Sequence, residues 1–116
     1  MNSIKCEEGL WGRFFILQHE PTYKLKRIEI DPLGRLSYQF HQKRSEVWII
    51  ENGLLADTLG GVEKDNSKGG TIFNAQGVKH RIENKSSEKV IFIEVQTGTY
   101  FGEDDIVRIE DDYNTV

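Results

Sequence analysis

Two histidines, a glutamate and a glutamine occur at a spacing that could hold a metal ion. Gln39, His41 and Glu46 lie within one short stretch, and His80 lies much further along the chain. Two imidazole nitrogens, a carboxylate and a carboxamide oxygen form a ligand set that suits zinc, and also manganese, iron, cobalt or nickel. The sequence therefore predicts one divalent metal, with zinc as the first choice, held by these four side chains.

The metal prediction requires strands that bring these side chains to one place. Side chains two residues apart in a strand lie on the same face, about 7 Å apart, so Gln39 and His41 share a face. A chain reversal through residues 42–45 would bring Glu46 back beside them. His80 opens a later strand, and the prediction needs that segment to converge on the first.

Short runs rich in Val, Ile, Phe, Tyr and Thr recur along the chain, separated by turn residues about every eight to twelve positions. The turn signals include residues 31–34, an Asn52-Gly53 hairpin turn and the pair Gly60-Gly61. This pattern predicts about nine or ten strands in an all-β sandwich or barrel. The chain closes with EDDIVRIEDDY, which fits either a short helical turn or a last strand. No repeat or linker interrupts the pattern, so residues 1–116 are predicted to form a single domain.

Composition limits the classes of partner. The formal net charge of −4 and the absence of a basic cluster argue against binding to nucleic acid. Cys6 is the only cysteine, so no internal disulfide can form. The N-terminal stretch matches neither a signal peptide nor a membrane span, and we expect a cytoplasmic protein without membrane contact. Because apolar strand faces on small barrels often pair, we also expect a homodimer.

The candidate ligands lie in segments that resemble a known family. The motif Q-x-H-x4-E-x6-G, beginning at Gln39, and the motif G-V-K-H-x3-N, beginning at Gly77, resemble the two cupin motifs. More narrowly, KLKRIEIDPLGRLSYQFHQKRSEVW, GVKHRIEN and IEVQTGTYFGEDDIVRIEDDY resemble the C-terminal domain of bifunctional mannose-1-phosphate guanylyltransferase/mannose-6-phosphate isomerases. The resemblance runs from about Trp11 to Tyr113, and the acidic tail is its most specific part.

The resemblance implies a cupin fold, which is a double-stranded β-helix or jelly-roll barrel, around one divalent metal. The family's metal ligands carry over onto Gln39, His41, Glu46 and His80. The implied partner is a small sugar phosphate, and the implied reaction interconverts mannose 6-phosphate and fructose 6-phosphate. In that reaction a metal polarises the sugar carbonyl, a base moves a proton between C2 and C1, and a cation holds the phosphate.

Two cationic residues are candidates for these supporting roles. Arg44 matches the family's arginine and is the first choice for binding the phosphate, with a surface ion pair as the alternative. Lys26 shares a strand face with Ile28 and Ile30. If that face points inward, Lys26 could act as the base; otherwise its ammonium reaches the rim of the barrel.

The sequence departs from the family at Lys43 and Val47, where the family usually has histidines. This departure favours an alternative, in which a metal-bearing cupin binds a sugar phosphate or a nucleotide sugar without turnover. An oxygenase is a third possibility, but the fourth protein ligand makes it less attractive. A nucleotidyltransferase supplied by a separate polypeptide could accompany any of these functions.

Overall fold

The computed structural model describes residues 5–36 and 38–110, and over these residues the chain forms eleven strands. The strands in order are β1 Lys5–Gly9, β2 Gly12–His19, β3 Tyr23–Ile30, β4 Tyr38–His41, β5 Arg44–Asn52, β6 Leu55–Leu59, β7 Val62–Asn66, β8 Thr71–Asn74, β9 His80–Glu83, β10 Val90–Gly98 and β11 Ile106–Glu110. They form a six-stranded sheet, in the order β1-β2-β3-β10-β5-β8, and a five-stranded sheet, in the order β11-β4-β9-β6-β7. The predicted all-β architecture is confirmed.

The sequence pattern did not predict β1 or β7. Every residue of β1 is exposed, and so is almost every residue of β7. Both are edge strands that pair with one neighbour, β2 or β6. A fully exposed edge strand needs no alternation of apolar and polar residues, so backbone pairing alone forms it.

The two glycine turns behave differently from one another. Gly60 and Gly61 join β6 to β7 with φ angles of 57° and 88°, as a tight two-residue hairpin requires. The predicted Asn52-Gly53 hairpin is wrong, because β5 and β6 belong to different sheets and do not pair. Gly53 forms a corner between the sheets, and the Asn52 side chain donates a hydrogen bond to the Lys89 carbonyl there (2.9 Å).

The tail contains both of the predicted alternatives. A 3₁₀ helix at Glu103–Asp105 leads directly into β11, and residues 111–116 lie outside the described part of the chain. This short turn is the only helix among the described residues, so they contain no helix long enough and apolar enough to cross a membrane.

The interior of the barrel is apolar at one end and polar at the other. Strand β10 shows this change along its inward face, from Val90 and Phe92 to Glu94 and Gln96, all buried. Cross-strand pairing continues each position into a row: Phe92 lies opposite Ile28 and Ile50, whereas Gln96 lies opposite Lys24 and Glu46. The buried apolar cluster comprises Ile28, Ile30, Trp48, Ile50, Leu55, Ile72, Ile82, Val90 and Phe92.

Candidate metal centre

The polar end of the interior is built around a turn that crosses between the two sheets. His41 is the last residue of β4 in the five-stranded sheet, and Arg44 is the first residue of β5 in the six-stranded sheet. Only Gln42 and Lys43 separate these strands. Because the chain changes sheet here, His41 and Glu46 face each other across the interior instead of lying side by side in one sheet.

The acidic tail holds this turn in place. The Asp105 carboxylate accepts hydrogen bonds from the backbone N–H of Gln42 (3.2 Å) and of Lys43 (2.9 Å). Gly98 packs against the same turn so closely that a Cβ atom there would lie 2.2 Å from the Lys43 carbonyl oxygen. The Gly77 N–H also donates to the His41 carbonyl (2.7 Å). The conformation of residues 41–44 is therefore fixed from three separate segments.

Three of the four predicted ligands converge. His41, Glu46 and His80 each offer one ligand atom, and these atoms all lie within 4.8 Å of one another. His41 Nε2 is 3.3 Å from Glu46 Oε2, and the two imidazole ring centroids are 5.0 Å apart. All three side chains are buried. Residues far apart in sequence thus form one compact cluster of nitrogen and oxygen donors.

The protonation state of the two histidines suits metal ligation. Burial, aided by the positive charge of Arg44, lowers the pKa of His41 from 6.5 to about 2. Burial likewise lowers the pKa of His80 to about 4. Both rings are therefore neutral at pH 7, which is the form that binds metals.

Two buried ring nitrogens in the cluster have no hydrogen-bond partner among the described residues. They are His41 Nδ1 and His80 Nε2. A buried polar atom without a partner costs free energy that a bound ligand can recover. The donor set of His41, Glu46 and His80 fits a divalent cation such as zinc.

Gln39 lies beside the cluster. It is half-buried in β4 and pairs directly with His80 of β9. Residues directly opposite in an antiparallel pair project to the same face of the sheet, so the Gln39 and His80 side chains share the inward face. This placement is compatible with its predicted role as the fourth ligand, which stays a prediction.

Both oxygens of the Glu46 carboxylate are held by neighbouring donors. Arg44 Nε donates to Oε2 (3.1 Å), and the Trp48 indole N–H donates to Oε1 (3.2 Å). Arg44 is buried, and its Nη1 also donates to the Phe101 carbonyl (3.3 Å). Arg44 therefore forms a buried ion pair inside the barrel, not the surface pair that the sequence left open.

A second carboxyl group lies behind the first. The same Trp48 N–H lies 2.9 Å from Glu94 Oε1, and Gln96 Nε2 donates to Glu94 Oε2 (2.7 Å). Burial, together with the negative charge of Glu46, raises the pKa of Glu94 from 4.5 to about 7. One indole N–H thus connects a candidate metal ligand with a carboxyl group that gains a proton easily.

Lys26 faces inward, as its proposed chemistry requires. It is buried, it lies opposite Glu94 in the β3–β10 pair, and its Nζ is 4.3 Å from the centre of the Phe14 ring. The ammonium packs over an aromatic face within the barrel instead of reaching the rim.

Comparisons with known proteins show the family of the chain. The model of the family described as mannose-6-phosphate isomerase C-terminal matches residues 7–111. The chain belongs to this family. It is 36% identical over 103 residues to the mannose-1-phosphate guanylyltransferase of Escherichia coli, and the match covers 89% of this chain and 22% of that relative. The chain thus spans about a fifth of the length of the relatives it matches.

Solved structures show the fold. The chain is similar to the capsular polysaccharide assembling protein CapF from Staphylococcus aureus, with a TM-score of 0.83 and 16% identity over 95% of this chain and 33% of that one. It is also similar to the cupin domain of Cnp3 from Schizosaccharomyces pombe, with a TM-score of 0.71 and 15% identity over 84% and 69% of the two chains. At these identities the likeness concerns the fold alone. The predicted cupin fold is confirmed.

The two departures from the family lie away from the cluster. Val47 alternates with the inward-facing Glu46 and Trp48, so it projects from the outer face of β5, where it is half-buried. Lys43 is exposed, with its Nζ 5.1 Å from the centre of the Tyr100 ring. Replacing histidines at these positions leaves the interior donors unchanged.

Asp105 has no signal in the sequence, because a carboxylate that caps a distant turn leaves no local pattern. Glu94 and Gln96 were not among the candidate site residues either. Their signal was present, since polar residues interrupt the apolar inward positions of β10.

Proposed function

We propose that the chain is a metal-dependent aldose–ketose isomerase that interconverts mannose 6-phosphate and fructose 6-phosphate. The observation that carries this proposal is the buried cluster of His41, Glu46 and His80 in a chain of the mannose-6-phosphate isomerase C-terminal family. These residues and Gln39 would hold one divalent metal, with zinc as the first choice. A bound metal would act as a Lewis acid toward the sugar carbonyl, which makes the neighbouring C–H bond more acidic.

The chain's own residues would supply the remaining chemistry. Lys26, buried within the barrel, is our candidate for the base that transfers the proton between C2 and C1. Arg44 is our candidate for binding the sugar phosphate, because its guanidinium already lies beside the donors of the cluster. Trp48 and Arg44 would keep the Glu46 carboxylate oriented, since each donates to one of its oxygens.

The test combines metal content with turnover. The purified protein is loaded with zinc, manganese or cobalt in turn, its metal content is measured by elemental analysis, and fructose 6-phosphate formed from mannose 6-phosphate is followed. We expect one metal per chain and turnover, with both lost in His80→Ala. The exposed neighbour Lys79→Ala is the matched control and should retain both. No fructose 6-phosphate with any bound metal would refute the isomerase proposal.

A second candidate function is binding without turnover. The Escherichia coli relative is named a mannose-1-phosphate guanylyltransferase and is much longer than this chain, which favours a module that binds a sugar phosphate or a nucleotide sugar. Saturable binding of mannose 6-phosphate in calorimetry, without isomerisation, would support this function. A cytoplasmic location and a homodimer stay predictions from the sequence.

A further inference from the structure

A cavity of about 420 Å³ opens on the outside of the five-stranded sheet, behind the candidate metal centre. Strand β9 separates the two regions: His80 and Ile82 face the interior, so Arg81 and Glu83 face the cavity. This volume lies in the range of small-molecule sites. The lining residues are Arg35, Tyr38, Ala56, Thr58, Gly61, Glu63, Arg81, Glu83 and Lys85.

The shape of this outer cavity follows from strand pairing. Ala56 of β6 lies opposite Glu83, and Thr58 lies opposite both Arg81 and Glu63. The small residues of β6 thus form a low floor between the long side chains of β7 and β9. The outer face of the sheet is therefore concave here.

Three cations lie together in the lining. They are Arg35, Arg81 and Lys85, and the two carboxylates of Glu63 and Glu83 lie beside them. Asp65 projects from the same face opposite Ala56, and its charge also acts on Lys85. The cavity can therefore offer several cationic donors to an anion that displaces a carboxylate.

Arg81 is held in a defined position. It is 7% exposed, and its guanidinium carbon is 5.6 Å from the centre of the Tyr38 ring. A guanidinium placed over an aromatic ring keeps its planar orientation. The tyrosine ring also gives the cavity an apolar wall.

The ion pair of Lys85 and Glu63 can open for an incoming anion, because these side chains are 53% and 49% exposed. Arg35 Nε lies 3.2 Å from Glu83 Oε1 in a less exposed pair, whose side chains are 37% and 29% exposed. Solvent-exposed ion pairs contribute little free energy. A phosphate, with its higher charge and three acceptor oxygens, makes stronger hydrogen bonds to the same cations.

We propose that the outer cavity binds a phosphorylated sugar. Its phosphate would contact Arg35, Arg81 and Lys85, and its ring would lie against Tyr38 and the floor at Ala56. This site goes beyond the proposed function, because the side chains that line it do not include the cluster of His41, Glu46 and His80.

The test is an amide NMR titration of the full chain with inorganic phosphate and then with mannose 6-phosphate, at constant ionic strength. We expect saturable shifts of the Thr58, Gly61 and Glu63 amides with both probes, and tighter binding of the sugar phosphate. Arg81→Gln should weaken binding about tenfold. Lys85 is exposed, and Lys85→Gln should weaken binding about threefold. This second variant keeps the test decisive even if Arg81→Gln does not fold.

Two controls separate this site from others. Arg27→Gln removes an equal charge from the six-stranded sheet and should leave the affinity unchanged. Glu46→Gln, which disables the candidate metal centre from the six-stranded sheet, should also leave binding at the outer cavity unchanged. The proposal is refuted if these amides show no saturable shifts, if Lys85→Gln binds like the parent chain, or if the sugar phosphate shifts only amides around His41 and His80.

Discussion

The two ends of the barrel interior share the same strands but serve different purposes. Phe92 and Glu94 are two residues apart on β10, and both project inward and are buried. Phe92 packs among apolar side chains that need no specific partners, whereas Glu94 needs hydrogen bonds from Trp48 and Gln96. The apolar end therefore stabilises the fold, and this stability offsets the cost of burying charges at the polar end.

Asn84 shows the same division within one motif. In the second cupin-like motif His80 faces the cluster, but Asn84 is fully buried near the opposite end. Its Nδ2 lies within hydrogen-bond distance of the carbonyls of Ile30 (3.0 Å), Asp31 (3.2 Å) and Glu88 (2.6 Å), which share its two N–H groups. His80, at the start of this motif, therefore belongs to the candidate metal centre, whereas Asn84, at its end, holds neighbouring loops by hydrogen bonds.

Phe92→Ala should have the largest effect on stability. Deleting a fully buried phenyl ring leaves a cavity, and we expect the free energy of unfolding to fall by about 4 kcal/mol. Urea denaturation measures the change. Ile93→Ala, on the half-buried outer face of β10, is the control and should lower it by about 1 kcal/mol. Equal losses in the two variants would contradict the assignment of the core to this end.

Glu94→Gln tests the polar end through pH. The folded-state pKa of Glu94 is raised from 4.5 to about 7, so its contribution to stability is fully present below pH 4.5 and is lost as pH rises through 7. Glutamine imitates the protonated form. We expect Glu94→Gln to be more stable than the parent chain by about 2 kcal/mol at pH 8, with no difference near pH 4.5.

Urea denaturation at both pH values, with a chelator present, measures this difference. The histidine titrations are common to both proteins and cancel in the comparison. A stability difference that stays constant with pH would show that Glu94 does not titrate in this range.

The sequence predicted the parts of the molecule that follow local rules. Alternation placed Gln39 and His41 on one face of a strand, and both lie in β4. The sequence could not predict that β4 and β5 belong to different sheets. The same few turn residues can connect two paired strands of one sheet or two strands of different sheets. The exposed strands β1 and β7 show no alternation of apolar and polar residues that would reveal them. Asp105 contacts a turn more than sixty residues away, which no local pattern can indicate.

Asp105→Ala tests whether the turn controls the cluster. The substitution removes both hydrogen bonds to the backbone of residues 42 and 43, and we expect the free energy of unfolding to fall by about 2 kcal/mol. Metal affinity should fall with it, because the turn positions His41 relative to Glu46. Urea denaturation and metal titration measure the two effects. Asp104→Ala removes an exposed neighbouring carboxylate that accepts a hydrogen bond from the Tyr100 hydroxyl. It should lower the free energy of unfolding by no more than about 0.5 kcal/mol and leave metal affinity unchanged, so similar losses in both variants would contradict the positioning role.

Trp48→Phe separates the indole N–H from the bulk of the ring. Phenylalanine keeps an aromatic ring at the boundary between the two ends but removes the donor to Glu46 Oε1 and Glu94 Oε1. Groups that orient a ligand typically alter metal affinity, and we expect about a tenfold loss. Competition with a chromophoric chelator measures it. Trp11→Phe alters a tryptophan packed against the apolar cluster and should bind metal normally. If Trp11→Phe weakened binding as much, the effect would arise from general loosening of the barrel and not from the carboxylate that Trp48 holds.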